Sequence, residues 1–312
     1  MAKGNNNTNS DTNTDTKNLS SGTALDMTSL PGGYFDRTSR SIYALIYLLP
    51  MMIVYELLVL VINPQLLSEP ISHVRGGVVA FVWIQNLLHY IGMDAKGAWL
   101  AAPLVIVVIL IILQITSRQS WKILWTDFIP MVLECIALAI PLIVLAIVLN
   151  RPAAPSPQTS FIDSQIPYCQ SEIASDINTV NSTHYDNKLT HPLSLDIITG
   201  IGAGIYEELV FRLILICGFM LFFETVIGLS RNKAVMISIL LSALLFSLHH
   251  HIAFIDGQLV RGEVFTITRF AFRAIAGVYF AIIFAVRGFG ITAGTHVFYD
   301  IIAVLLNAWL FD

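Results

Sequence analysis

Long apolar runs alternate with short polar breaks along almost the whole chain, and most runs are long enough to cross a bilayer core as helix. The runs predict spans at Ser41 to Ile62, Gly76 to Ile91, Trp99 to Ile115 and Phe128 to Leu149. After one long break they continue at Leu193 to Ile227, Val235 to Ile252, Phe265 to Val286 and Ile291 to Phe311. The expected fold is all-α, a polytopic transmembrane bundle of about eight helices. The second and third runs are short, as tilted or partly interfacial helices would be. The break itself opens with Pro152, Pro155 and Pro157 and continues in Ser, Asn, Asp and Gln, so it cannot stay in hydrocarbon.

These boundaries give a polar, disordered tail at 1–35, N-terminal membrane helices at 36–150, an extramembrane loop at 151–191 and a second membrane unit at 192–312. The tail is rich in Asn, Thr, Ser and Asp and has no apolar stretch behind a basic start, so the first span is expected to act as signal anchor. No repeat relates the two halves, which weighs against an inverted-repeat transporter.

Composition agrees: 55% of residues are hydrophobic, only 12% are charged, and the formal net charge is −4. An integral multi-pass protein is expected, with the lipid bilayer as its solvent and no basic tract for nucleic acid. Lys3, Lys17, Arg37 and Arg40 before the first span favour a cytoplasmic N-terminus, whereas Arg118, Lys122, Arg231 and Lys233 would then fall opposite. Giving the first helix priority puts both termini inside. Cys135, Cys169 and Cys217 are too dispersed for a disulfide framework or a clustered metal site.

Against this apolar background, Glu207-Glu208-Leu209-Val210-Phe211-Arg212 places three ionisable groups within six residues. Each costs about 2.5 to 3.5 kcal/mol at membrane depth on insertion scales, so the cluster needs partners or water. Glu208 and Arg212, four apart, share a helix face and can pair. Glu207 points about 100° away and is left as an unneutralised carboxylate, suited to a general base. A network that merely braces the helices is the plain alternative.

Two further groups lie downstream. In Phe246-Ser247-Leu248-His249-His250-His251, Phe246 and His250 share a face, so His250 is the expected site residue and His249 and His251 are expected at interfaces. In His296-Val297-Phe298-Tyr299-Asp300, the aspartate can set the tautomer of the histidine. Taken singly, each also fits an ordinary buried or surface residue. No His-Glu-x-x-His occurs.

Together, Glu207-Glu208-x-x-x-Arg212, Phe246-x-x-x-His250 and His296-x-x-x-Asp300, in this order, resemble the CAAX protease and bacteriocin-processing (CPBP) family of intramembrane endopeptidases, related to the type II CAAX prenyl endopeptidase. The resemblance covers roughly the last 120 residues. It implies a helical core in which Glu207 activates water, His250 helps to hold it, and His296 with Asp300 stabilises the oxyanion, while Glu208, Arg212 and Phe246 support them. It further implies a membrane-associated peptide or protein as substrate. No cofactor is required for this chemistry; a divalent metal, if one is used, would sit on Glu207, His250 and His296. The family pattern most often ends in Asn where this chain has Asp300, which can donate a hydrogen bond only when protonated. Two other classes remain: a non-enzymatic scaffold or immunity protein, and an ion-coupled transporter using the same groups with Glu56 and Glu134.

Overall fold

The computed structural model describes residues 32–62, 78–149, 193–255, 258–261 and 264–311. The tail expected at 1–35 lies largely, and the loop at 151–191 wholly, outside these residues. Tyr34 and Phe35, assigned to the tail, begin a short helix, α1 (Tyr34–Thr38). It leads into α2 (Ser41–Ile62), then α3 (Val79–Tyr90), α4 (Ala95–Ser117) and α5 (Phe128–Leu149). The second half holds α6 (Leu193–Val226), α7 (Arg231–His249) and α8 (Ile267–Phe311). Six helices are long and apolar enough to cross a membrane, and the protein is an integral multi-pass membrane protein.

Three features depart from the expected eight spans. Helix α3 has 12 residues, about 18 Å of rise against a hydrocarbon core of about 30 Å, so it does not cross. The last two expected spans form one element, α8, broken only at Gly288 (φ 76°, ψ −179°). The ring of Phe280 stacks on that of His296 with centroids 4.5 Å apart. Sixteen residues of continuous helix would separate them by about 24 Å, so the two arms of α8 fold back on each other at Gly288. The third departure is a two-stranded antiparallel hairpin between α7 and α8, β1 (Ile252–Ile255) and β2 (Gln258–Arg261), pairing Ile252 with Arg261 and Ile255 with Gln258.

Because α3 does not cross, α4 ends on the same face as α1. Arg37 pairs with Asp127 at 2.9 Å, Tyr43 accepts from the backbone N–H of Leu124, and the amide of Ile42 donates to Gln114. Arg118 and Lys122 therefore belong to the α1 face, which removes their conflict with the first-helix rule. The second arm of α8 runs parallel to α2, with Gly288 against Ser39, Gly290 against Ala44 and Gly294 against Tyr47. The described chain thus begins and ends on opposite faces, and the expectation of both termini inside is corrected.

The core lies where α2, α5 and α6 surround the second arm of α8. On α6, Gly200 and Gly204 form a small-xxx-small pair against that arm. A Cβ at Gly204 would stand 2.5 Å from the backbone nitrogen of Val297, so the helices touch backbone to backbone. Without an apolar driving force between helices in lipid, such close van der Waals contact is what holds them together.

Candidate functional site

Helix α6 changes winding at the motif. It is α-helical over Leu193–Glu208 and π-helical over Leu209–Ile216. A π segment widens the turn and frees carbonyls, and such segments recur at functional sites; here the hydroxyl of Ser242 on α7 donates to the carbonyl of Phe211. The change of winding directly follows Glu207 and Glu208, both buried inside the bundle.

Glu208 and Arg212 form the pair their spacing predicts, Nε to Oε2 at 3.0 Å, with both side chains at most 1% exposed. The guanidinium lies over the ring of Phe246 at 4.2 Å, so Phe246 supports the arginine as well as the histidines. It also reaches the carbonyl of Gly277 in the first arm of α8. One residue thereby ties α6, α7 and α8 together.

The second oxygen of Glu208 accepts from Nδ1 of His296 at 2.8 Å. Asp300, expected to orient that ring, stands 3.6 Å from Nε2, too far for a hydrogen bond. Orientation of His296 therefore comes from Glu208 and from Phe280 stacked on its face. Since a carboxylate only accepts, Nδ1 carries a hydrogen and Nε2 is the nitrogen turned to the site.

The histidine tract corrects the register inferred from sequence. His249, expected at an interface, is buried, and its Nε2 is 3.4 Å from Oε1 of Glu207. His250 belongs to the same cluster: Glu207, His249 and His250 each offer a ligand atom, and these atoms all lie within 4.8 Å of one another. His251 turns away, buried against Phe265 and Phe270.

The reason is the helix end. His249 closes α7 and His250 is its C-cap, so the carbonyls of the last turn lack intrahelical partners. Nδ1 of both His249 and His250 meets one of them, the carbonyl of Phe246. That shared acceptor draws two neighbouring rings together, with centroids 3.9 Å apart, where an unbroken helix would fan them about 100° apart.

Donation of Nδ1–H to a carbonyl leaves Nε2 with its lone pair. In His249 that lone pair faces a carboxylate oxygen, an arrangement that needs a proton or a cation between the two. A histidine whose other nitrogen donates to a backbone carbonyl is also the arrangement of a metal ligand. The donor set of Glu207, His249 and His250 fits a divalent ion; His296, expected as a ligand, is not one of the three whose ligand atoms lie within 4.8 Å of one another.

The glutamates named for a transporter are otherwise engaged. Glu134 pairs with Arg287 and accepts from Tyr34, and Glu56 accepts from Tyr206 at 2.7 Å.

Residues 190–302 match the family described as Rce1-like: Type II CAAX prenyl endopeptidase Rce1-like. No curated protein and no solved structure matches the chain. The matched segment contains all three motifs, and the fold brings Glu207, His250 and the Glu208–His296 pair to one place. Over residues 190–302 this chain is therefore similar to the type II CAAX prenyl endopeptidases.

Proposed function

We propose that the protein is an intramembrane endopeptidase in which Glu207 takes the proton of the attacking water. The observation that carries this reading is the placement of Glu207, buried, with an oxygen 3.4 Å from His249 and, in contrast to Glu208, no arginine salt bridge among the described residues. The neighbouring carboxylate, Glu208, is already committed to Arg212 and His296. One carboxylate is thus structural and the other is left for chemistry. A peptide amide requires both an activated nucleophile and donors aimed at the developing oxyanion.

In this mechanism water sits beside Glu207, within reach of the imidazoles of the His249 and His250 cluster. The carboxylate removes its proton as oxygen attacks the scissile carbonyl and then passes the proton to the leaving amine. His296 points Nε2 towards the new oxyanion, and because Nδ1 also donates, the donating form is the imidazolium, with Glu208 as its counter-charge. Asp300, beside Nε2, lines the same region and offers a hydrogen bond to the substrate when protonated. If a divalent ion is bound, Glu207, His249 and His250 would hold it, and it would supply Lewis-acid polarisation of water or carbonyl. The substrate is a membrane-associated peptide or protein that reaches a site among lipid-embedded helices.

The test is incubation of the purified protein in lipid nanodiscs with a peptide library, with products identified by mass spectrometry. Discrete internal cleavages that disappear in Glu207→Gln support the mechanism. Products unchanged in that variant reject it.

A further inference from the structure

The reversal at Gly288 sets the distance between Phe280 and His296, so whatever fixes that turn also fixes the oxyanion donor. Gly288 has φ 76°, a conformation L side chains rarely adopt, and a Cβ there would stand 2.9 Å from the carbonyl oxygen of Ser39. The residue before it, Arg287, is 7% exposed and uses all five of its N–H groups. Nε and one Nη2 hydrogen bind the two oxygens of Glu134 on α5. The other Nη2 hydrogen binds Oγ1 of Thr38 at 2.8 Å. The Nη1 pair binds the carbonyl of Phe35 at 2.9 Å and Oγ of Ser39 at 3.0 Å. The phenol of Tyr34 donates to Glu134 at 2.8 Å, and the ring of Phe35 lies 4.5 Å from the guanidinium.

A planar guanidinium offers five donors in a rigid fork. With all of them occupied from two separate segments, α5 and residues 34–39, the joint has no soft direction. None of the partners lies in residues 190–302, so the part of the chain outside the family match supplies the brace.

We propose that Arg287, Glu134 and the 34–39 segment form a positioning clamp that holds the two arms of α8 at the angle placing His296 opposite Glu207. His296 is eight residues from Gly288, about 12 Å along the helix, so a change of about 5° at the turn moves the imidazole by about 1 Å. Misplacement of that size can cost about a hundredfold in rate. This inference rests on the proposed peptidase reaction for its rate effect but not for its geometry.

The experiment measures both. Spin labels are placed at Ile282→Cys and Leu305→Cys, exposed positions on the two arms. Cys169 and Cys217 are replaced by Ser, and buried Cys135 is kept. Pulsed electron resonance in nanodiscs gives the inter-arm distance distribution for the parent, for Thr38→Val with Ser39→Ala, and for Glu134→Gln. Turnover of a peptide taken from the library digest is measured alongside. The clamp predicts a broader or shifted distance in both variants, with kcat lowered roughly ten- to a hundredfold and KM nearly unchanged. Glu134→Asp, which keeps the charge, should recover part of kcat. An unchanged distance distribution and unchanged kcat in the Thr38/Ser39 variant overturn the proposal, even if Glu134→Gln does not fold. If no peptide is cleaved by any form, the distance measurement still decides the clamp.

Discussion

Replacing Glu208 by Gln should damage the protein in a different way from the same change one residue earlier. In the folded chain Glu208 is 0% exposed and serves two cations or donors at once, Arg212 at 3.0 Å and His296 at 2.8 Å. Glutamine keeps the volume and can accept one of these hydrogen bonds, but it leaves the guanidinium of Arg212 buried without its counter-charge. Its remaining contacts, the ring of Phe246 and the carbonyl of Gly277 at 3.4 Å, do not replace an anion. Removing one partner of a buried ion pair costs about 3 to 5 kcal/mol. At roughly 2 to 4 °C per kcal/mol for a protein of this size, the melting temperature should fall by on the order of 10 °C. The assay is thermal unfolding in nanodiscs, followed by tryptophan fluorescence, for wild type, Glu207→Gln, Glu208→Gln and Arg212→Met. Glu208→Gln should melt well below wild type and Glu207→Gln within a few degrees of it. The double change Glu208→Gln with Arg212→Met should recover much of the loss, because no unpaired charge remains. A Glu208→Gln protein that melts with wild type would refute the buried-pair reasoning.

Three further outcomes are expected. His249→Gln should lower kcat by about ten- to a hundredfold, because it removes the imidazole nearest Glu207, while His251→Gln should leave kcat unchanged in steady-state assays of the same peptide; the reverse order would reject the register. Asp300→Asn should retain most activity, since Asp300 makes no hydrogen bond to His296 at 3.6 Å, whereas Asp300→Ala should lose a donor and fall by roughly a hundredfold or more; equal losses would mean that the charge itself is needed. Activity should survive exhaustive treatment with a chelator, since base and donors are all side chains; loss restored by zinc would make Glu207, His249 and His250 a metal centre.

The spans were legible because lipid imposes one requirement on every residue of a crossing helix, and Ser41–Ile62 and Phe128–Leu149 agree with their apolar runs to the residue. The Glu208–Arg212 pair was legible because both ends lie on one helix at a fixed spacing. What failed depended on chain ends and on contacts between elements. His249 was assigned away from the site by extending helical periodicity past the point where α7 stops, and the unpaired carbonyl of Phe246 decides otherwise. Glu208 as the partner of His296 joins residues 88 apart, which no local spacing reveals. The hairpin after α7 did leave a signal: Asp256-Gly257 stands between Ile252-Ala-Phe-Ile255 and Gln258-Leu-Val-Arg261, a turn dipeptide flanked by strand-forming residues. It was covered by the apolar run that preceded it. The fold-back at Gly288 shows in sequence only as a glycine pair, Gly288 and Gly290, between two apolar runs.

The central claim is that Glu207 is the base, and its most direct test is the product spectrum of Glu207→Gln beside wild type on one peptide library, with folding of both confirmed by melting. Glutamine has nearly the same volume and cannot take a proton from water. Wild type should yield internal cleavage products by mass spectrometry, and Glu207→Gln, equally folded, should yield none above the enzyme-free control. A folded Glu207→Gln protein that produces the same fragments at the wild-type rate would contradict the account.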